Sequence, residues 1–556
     1  MPTVPKKDRD YYNKRFSSLK NERTSFDAHW KEISTNIQPR RGRFFISDRN
    51  KGLKKHQAII NSNATQALQI ATSGMLAGTM SPTRPWFALE THNPEFMERQ
   101  DVKEWLFKVE QLIRTIFNES NLYGQAANLL AELLLFGTGA MSHEDDFHDV
   151  ARFYTYTAGS YSITQNDRFE VDVLSREFEW TVEQIVKAFG YDKCSTTIKK
   201  AWDLGNYMSW YPIRHIIEPN PKATGEGAFA NEMKFRSVYF EPGSTDHLTN
   251  FLRESGFEEF PLYVPRWSLT GEDIYGTNCP GMVTLGDVKS LQVQEKRKAQ
   301  AIDKMVNPPL TGPASVRNVP VSSLPGGLTV YDGGQANQKL EPLYMVTPQL
   351  QELRLDLDAI EQRIDKAFFV DMFLAISNIE GIQPRNQLDI IQRNEERLLQ
   401  LGPVLERLQG EFLDPLLERT FNQCVRADIL PAPPEGVEGE ELRVKYISTL
   451  AIAQRAVATQ SIERMAQYTA SLVAAGFESA ADKFNADQSI DEMGKAIGAP
   501  PSIIVPDEEV ATIRQQRAQQ QQLEQALSAG QQLANTAKMA SDAKTDDESV
   551  LTDIAG

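Results

Sequence analysis

The side chains that look most like a chemical site are gathered in the stretch HEDDFHD, with His143, Glu144, Asp145, Asp146, His148 and Asp149. Imidazoles and carboxylates this close together are the ligand types of a zinc or calcium centre. The spacing argues against one. Two histidines five apart do not share a helix face, and neither an HExxH pair nor an EF-hand loop fits. The expectation is an acidic turn between strands. His29, His56, His92, His215 and His247 are scattered. Cys194, Cys279 and Cys424 lie far apart with no CxxC pair, and no histidine neighbours Cys194 or Cys279 in sequence. They are expected to be small core hydrophobes in a reducing compartment, without a disulfide framework or zinc site. A phosphate-cradling GxxxxGK[ST] loop is absent, Gly225–Glu226–Gly227 reads as a plain loop, and no GxSxG elbow occurs. The sequence therefore offers no catalytic residue, no metal ligand set and no cofactor, and an enzyme is not expected.

What remains is a set of polar and basic residues carried on helices. From Leu285 to Leu430 the chain reads as helix, small glycine- and proline-rich module, helix, polar loop and very long helix. The first helix, about 285–305, has a narrow apolar stripe of Val288, Leu291, Ala299, Ile302 and Val306. Its other faces are charged and include Lys296, Lys298 and Lys304. Asn307, Pro308 and Pro309 stop it, because proline lacks the amide a helix interior needs. The second helix is expected to start at Thr347 and Pro348, a capping hydroxyl followed by a residue suited to the first turn. Leu350, Leu353, Leu357, Ile360, Ile364 and Ala367 then recur at steps of three and four, a seam too narrow for the inside of a globular core. Two such helices cannot bury themselves by pairing once. Copies of the pair packed side by side around a ring would solve this, and an ordinary hairpin within a monomer is the alternative.

Between the helices, 307–346 carries prolines, two glycine pairs and short β-like runs at 328–331 and 340–345. It is too small for a core of its own. After the second helix comes SNIEGIQPRNQ, from Ser377 to Gln387, where Gly381 and Pro384 interrupt any helix. From Leu398 to Phe421 a strongly amphipathic helix is expected, kinked but not ended at Pro403 and Pro415.

The chain has 556 residues and a formal net charge of −16. That length makes several domains and a large core. No run of 18 or more apolar residues suggests a membrane span, and the opening MPTVPKKDRDYYNKR lacks the apolar core of a signal peptide. An acidic chain is a poor static DNA binder, since phosphate neutralisation supplies that affinity, yet it suits a surface past which DNA slides. In order, 8–37 reads as a long helix with Tyr12, Phe16, Leu19, Phe26, Trp30, Ile33 and Ile37 on one face. A basic run follows (Arg40, Arg41, Arg43, Lys51, Lys54, Lys55), either a contact for DNA or an acidic neighbour, or a solvated loop. Then come a small-residue helix at 62–80, an extended turn with Trp86 and Phe87 as core anchors, and helices at 102–117 and 123–136. From 141 to 266 β-like runs dominate (150–156, 235–240, 261–267), with a helix at 181–189. Residues 431–439 are a linker and 444–497 are expected to be helical. Residues 507–539 form a glutamine- and alanine-rich helix, marginal alone, and 540–556 read as a disordered acidic tail.

Several strings have a common likeness. LGPVLERLQGEFLDPLLERTF (401–421), the LPAPP break and VKYISTLAIAQR (444–455) resemble the portal, or head-to-tail connector, proteins of short-tailed bacteriophages. TRPWFALE (83–90), VKEWLFKVE (102–110), FGTGAM (136–141) and GEDIYGTNCPG (271–281) follow in that family's order. The likeness covers about Tyr11 to Pro501. No single string carries chemistry; their order and spacing are specific. The resemblance implies a mainly helical α+β fold assembled as a twelve-fold ring with a central channel. It implies a wing (1–284 with the long helix 388–430), stem helices at 285–305 and 347–372, a clip at 306–346, a tunnel loop at 373–387 and a crown at 431–500. Residues 501–556 would add a helix able to form a barrel, and a tail. Implied partners are double-stranded DNA, the large terminase, tail adaptor and tail proteins, and the major capsid and scaffolding proteins. No membrane is implied. The place is the portal vertex of the virion, after assembly in the host cytoplasm. The channel candidates are Asn378, Glu380, Arg385, Asn386 and Gln387, with Lys296, Lys298 and Lys304. The docking candidates in the clip are Val316, Arg317, Asn318, Val321, Leu324, Tyr331, Asp332 and Asn337. A helical virion scaffold or adaptor without a channel is the alternative; the order of helix, β module, helix, loop and kinked helix separates the two.

Overall fold

The structure is a computed structural model that describes residues 7–48, 52–93, 96–146, 148–221, 223, 232–243, 251–312, 317, 321–322, 341–343, 349–377, 395–437, 442–447, 465–497, 505 and 507–546. The chain divides into two compact units, Met1–Phe87 with Gln111–Leu430 and Ser448–Ala456, and Ala88–Glu110 with Pro431–Ile447 and Val457–Gly556. Helix outweighs strand, and both occur in the first unit.

Helix α1 (Arg9–Ile37) begins where the Asp8 carboxylate accepts the Tyr11 amide at 3.0 Å. An acid there satisfies an orphan amide and faces the positive end of the helix dipole. The expected apolar face is buried, with Phe26 only half so. Arg23 is buried on the same face, which periodicity does not predict. Its guanidinium donates to the Tyr161 carbonyl at 2.8 Å and pairs with Asp27 at 3.0 Å. A buried charge persists only when paired and hydrogen-bonded in this way.

Helix α2 (Asn63–Thr79) is followed by β1 (Phe87–Thr91) and α3 (Gln100–Glu119). Trp86 and Phe87 are buried, as expected of core anchors, and Trp86 stacks on Phe117. Helix α4 (Leu122–Phe136) packs on α2 and ends at Gly137, whose φ of 76° lies in the left-handed region that favours glycine. Here FGTGAM meets GEDIYGTNCPG. Trp267 donates its amide to the Gly137 carbonyl at 2.8 Å, and the Gly276 amide donates to Thr138 Oγ1 at 2.8 Å. A Cβ on Gly276 would fall on the Gly137 carbonyl oxygen, and one on Gly281 would lie 2.8 Å from Leu135 Cα. The Cys279 thiol and the Trp30 indole both donate to carbonyls of α4's last turn, Leu135 and Phe136, at 3.2 and 3.1 Å.

Strands β2 (Ala140–Asp146) and β3 (Val150–Tyr156) form an antiparallel hairpin. Most of HEDDFHD is therefore strand; only His148 and Asp149 of its chemical residues lie in the turn, a correction to the expected acidic turn. A second sheet has the order β4 (Tyr161–Gln165), β5 (Val171–Thr181), β6 (Trp210–Pro219), β7 (Phe235–Phe240) and β8 (Arg253–Phe257), all antiparallel. Tyr12 and Phe16 of α1 pack on its Ile216, Val238 and Phe240. Buried Glu218 of β6 receives Lys7 at 2.6 Å and Arg15 at 3.0 Å. Between β5 and β6, Thr181 and Gln184 form a capping box for α5 (Val182–Phe189), as the sequence predicts for a helix at 181–189. A further helix, α6 (Thr196–Asp203), was not expected, although Ser195 caps it and Ile198 and Ala201 bury its inner face. The β-like run 261–267 yields only β9 (Leu262–Tyr263), which pairs with β2. Pro261 and Pro265 lack the amides a longer strand needs.

The short α7 (Pro280–Val283) leads into α8 (Leu285–Val306). Strands β10 (Leu310–Thr311) and β11 (Glu341–Pro342) pair antiparallel, and α9 (Leu350–Ala367) follows. The expected cap, Thr347 with Pro348, lies outside the described residues; Gln349 holds the N-cap position, and its side chain caps no backbone amide. The second helix does not run on to 372. It breaks at Phe368, Phe369 turns left-handed with φ 56°, and helix resumes as α10 (Val370–Ser377). The expected loop 373–387 is thus helical through Ser377.

The long helix carries Pro403 inside α11 (Glu395–Leu408), as expected, but it does not merely kink at Pro415. A π-turn (Gln409–Leu413) precedes α12 (Asp414–Arg426), and the Asp414 amide donates to the Gln409 carbonyl. Pro415 has no amide and would clash with the carbonyl four residues back, so a wider turn relieves it. Glu411, in that turn, accepts from buried Arg266 at 2.6 Å, and Arg266 also donates to Gln165 at 2.9 Å and to the Phe169 carbonyl at 2.8 Å.

In the second unit, Val444–Tyr446 belong to strand β12 (Leu442–Tyr446), which pairs with β1. This corrects the expected helix from 444. The Trp105 indole donates to the Pro431 carbonyl at 2.9 Å and Lys445 pairs with Glu90 at 3.0 Å. Residues 465–474 are helical, Asn485 accepts the Gln488 amide at the start of α13 (Ala486–Ile497), and α14 (Asp507–Asp546) is one helix. Helix replaces the expected disordered tail as far as Asp546. Arg514 of α14 pairs with Asp487 of α13 through two bonds of 2.7 and 2.8 Å.

Removing Glu411 leaves the Arg266 guanidinium buried without its carboxylate. Glu411→Ala is expected to cost about 3 kcal/mol, and Glu411→Gln less, read as the fall in the urea unfolding midpoint. An unchanged midpoint in the alanine variant would show that Gln165 and the Phe169 carbonyl suffice.

Candidate functional site

Helices α8 and α9 form an antiparallel hairpin rooted in the first unit. At the root, Leu285, Val288 and Leu291 of α8 and Leu357, Ile360 and Ile364 of α9 are buried. Gln292 fastens it. Its carbonyl oxygen accepts the amides of Ile60 and Asn61 at 2.6 and 2.9 Å, and its NH2 donates to the Asn61 carbonyl at 2.8 Å. Asn61 in turn donates to Glu361 of α9 at 2.7 Å, so one loop grips both helices. Lys289 pairs with Glu32 of α1, and Arg363 bridges to Asp287 at 2.9 Å. Sequence reasoning missed Gln292; its only signal is an uncharged amide beside Leu291, at the edge of the apolar stripe.

Beyond the root the hairpin is wet, both on its seams (Ile302, Val306, Leu353) and on faces away from them (Val293, Leu355). Val293, Ile302, Met305 and Val306 of α8 are exposed, and so are Leu353 and Leu355 of α9, Leu355 at 67%. The hairpin therefore has an apolar outer half that one copy of the chain does not cover. Exposed apolar residues in a row, rather than singly, mark a contact surface.

The three lysine candidates do not face one way. At 100° per residue, Lys304 lies about 80° from Lys296 around the helix, and Lys298 about 200°. Lys298 folds back onto Glu295 at 2.9 Å. Lys296 and Lys304 are exposed and make no ion pair among the described residues. Helix α10 ends at Ser377, immediately before Asn378, Glu380, Arg385, Asn386 and Gln387, which lie outside the described residues. Of the docking candidates, Arg317 and Val321 are exposed; Val316, Asn318, Leu324, Tyr331, Asp332 and Asn337 lie outside the described residues. The β10–β11 pair ties the chain together on either side of that excursion, directly between α8 and α9. The β-like run 328–331 lies outside the described residues, and 341–342 of the run 340–345 is strand.

The groups that sequence marked for chemistry are built into the body instead. The His143 ring is buried, with Nδ1 hydrogen-bonded to the Tyr263 hydroxyl at 2.5 Å, and burial holds it well below the usual imidazole range. Burial pushes the thiols up, Cys194 and Cys424 to about 11 and Cys279 to about 12, which disfavours the nucleophilic thiolate. Among the described residues no three His, Cys, Asp or Glu side chains gather as a metal site, and no helix is long and apolar enough to cross a membrane. In the basic run, Arg41 faces inward and pairs with buried Glu132 of α4 at 3.2 Å, and Lys55 pairs with Asp48 at 2.9 Å.

Comparison with known proteins bears on the whole chain. The family model of the bacteriophage head to tail connecting proteins matches residues 9–505. The portal protein of Salmonella phage epsilon15 is 42% identical over 542 residues, which cover 98% of this chain and 97% of that protein. The probable portal protein of Bordetella phage BPP-1 is 42% identical over 541 residues, 97% and 96% of the two chains. Identity at this level, held from end to end, extends beyond the hairpin to both units: the chain belongs to the bacteriophage head-to-tail connecting, or portal, protein family.

Proposed function

We propose that copies of this chain close into a ring, twelve-fold by likeness to the family, at one vertex of the capsid, with a central channel for DNA entry and exit. The observation that carries this reading is the half-wet hairpin. Its root is fastened by Gln292 and two ion pairs, while apolar side chains of its outer half, Ile302 on the seam and Leu355 on another face, stay exposed in one copy. Neighbouring hairpins packed side by side would cover it, and a heterologous contact of this kind closes into a ring when the rotation allows. On this reading residues 1–284 and 388–430 are the wing, 285–305 and 347–372 the stem, broken at Phe368, 306–346 the clip, 373–387 the tunnel loop, which helix α10 enters as far as Ser377, and 431–500 the crown. Helix α14 in a ring of copies would form a barrel. The protein resides in the virion after assembly in the host cytoplasm, and meets the major capsid and scaffolding proteins. It hydrolyses no ATP itself; the motor is the large terminase, which docks on the clip before the tail adaptor replaces it.

The net charge of −16 suits a conduit. An acidic wall keeps phosphates hydrated, whereas a basic one would bind several at once and hold the duplex. Arg385 would place one positive charge per copy at a single height, flanked by the amides of Asn378, Asn386 and Gln387. Such a belt steadies DNA without a multi-phosphate grip. Lys296 and Lys304 have exposed side chains that could add belts; Lys298, already paired with Glu295, is the weaker candidate.

Three outcomes test this. Leu355→Asp puts a charge into the seam between copies; native mass spectrometry should show the ring mass of the parent replaced by monomer, with an unchanged monomer unfolding midpoint. Monomer alone from the parent at every salt concentration would sink the ring. Deleting 316–338 should leave the body folded and abolish terminase capture in a pull-down; undiminished capture moves docking elsewhere. Arg385→Ala with Asn386→Ala should leave rings and heads intact while packaging or genome retention falls. Full-length, stably held genomes in that variant would remove the loop from the mechanism.

A further inference from the structure

Helices α2 and α10 lie against one another, and Gly74 of α2 faces Phe373 of α10. Phe373 is 2% exposed. A Cβ built on Gly74 would lie 2.5 Å from Phe373 Cγ and 2.6 Å from Cδ1, with Phe373 Cβ nearer still. A ring can rotate away from such a clash, but a Cβ cannot, because it is fixed to the backbone. Any side chain at position 74 must therefore push α10 itself. Other helical glycines differ. Gly124 of α4 and Gly286 of α8 have nothing within 4 Å of an added Cβ. Glycine inside a helix is less stable than alanine, so its presence at 74 has a steric reason that those positions lack.

The turn just before α10 needs such a seat. Phe369 has φ 56°, a conformation unfavourable to a side chain of its size, and it persists only where the surroundings impose it. Its amide donates to the Lys366 carbonyl at 3.1 Å, and its carbonyl accepts the Phe373 amide at 3.0 Å. Phe373 thus anchors the first turn of α10 at one end and sits in the Gly74 notch at the other. Helix α10 ends one turn later, at Ser377.

We propose that Gly74 is a positioning residue for the channel: the notch in α2 seats Phe373, holds the left-handed turn at Phe369, and so sets the point from which the chain departs toward residues 378–387. This rests on the reading of that segment as the tunnel loop. A displacement at Phe373 is carried to Ser377 by a helix of only about two turns.

The experiment compares Gly74→Ala with Gly124→Ala in the full-length protein and in particles assembled from it. Amide hydrogen exchange over 370–377 should speed by roughly tenfold in Gly74→Ala, with exchange in β5–β7 unchanged, and genome retention should fall. Gly124→Ala should alter neither. Unaltered exchange over 370–377 in Gly74→Ala would overturn the proposal. So would faster exchange with normal retention, if Arg385→Ala with Asn386→Ala still loses DNA; the tunnel-loop reading would then stand without Gly74. If both variants retain DNA normally, the tunnel-loop reading itself has failed. Should Gly74→Ala not fold, Phe373→Ala empties the seat without a clash and must give the same local rise and the same loss of DNA, or the proposal falls.

Discussion

The structure depends on a close backbone approach at the end of α4. Around Leu135–Thr138, chain segments remote in sequence come nearer than side chains would permit, and Gly137, Gly276 and Gly281 allow it. The carbonyls freed at the helix terminus are taken up by the Trp30 indole, the Cys279 thiol and the Trp267 amide. A helix end buried without such partners would be costly. Because α7 and α8 leave directly from this junction, it fixes where the hairpin starts relative to α1, α4 and the β2–β3 hairpin. Gln292 and the Asn61 loop then fix its direction. The functional surface is thus aimed by a knot of glycines and carbonyls that carries no chemistry itself.

Buried arginines do a second part of the work. Arg23, Arg266 and Arg419 are each almost fully buried and each meets a carboxylate, Asp27, Glu411 and Asp145 respectively. The Arg266 and Arg419 pairs join segments far apart in sequence, whereas Arg23, whose Asp27 lies on its own helix, reaches β4 through the Tyr161 carbonyl; a guanidinium with several fixed partners tolerates few arrangements.

The hairpin shows how one feature can serve the fold and, on the reading proposed, assembly. Its root behaves as a monomer core, with Val288, Leu291, Ile360 and Ile364 buried and every polar group of Gln292 satisfied. Its outer half keeps the same apolar seam but has nothing to bury it against. A stable monomer would gain by replacing Leu355 and Val306 with polar residues, since exposed apolar area is a liability rather than a source of stability. Their exposure is what the proposed packing of neighbouring copies would remove.

The sequence by itself determined what local spacing can encode. The faces of α1 and α9, the capping box at Thr181, the proline stop after α8 and the anchors Trp86 and Phe87 all rest on residues within a turn or two of each other. The order of the strings from TRPWFALE to LGPVLERLQGEF carried the family for the same reason: it is a property of the linear chain. Only tertiary structure decided the rest. Val444–Tyr446 became strand because β1 offers its edge from 355 residues away, judged by the Lys445–Glu90 pair. The second helix broke at Phe369, where no helix-breaking residue stands, and α10 found its seat at Gly74. HEDDFHD became half strand, with its first histidine in the core, because Tyr263 and β9 close over it. In each case the deciding partner lies far along the chain. Periodicity reports which face of an element is apolar, but not which remote surface will cover it, and that surface selects among conformations whose local energies are nearly equal.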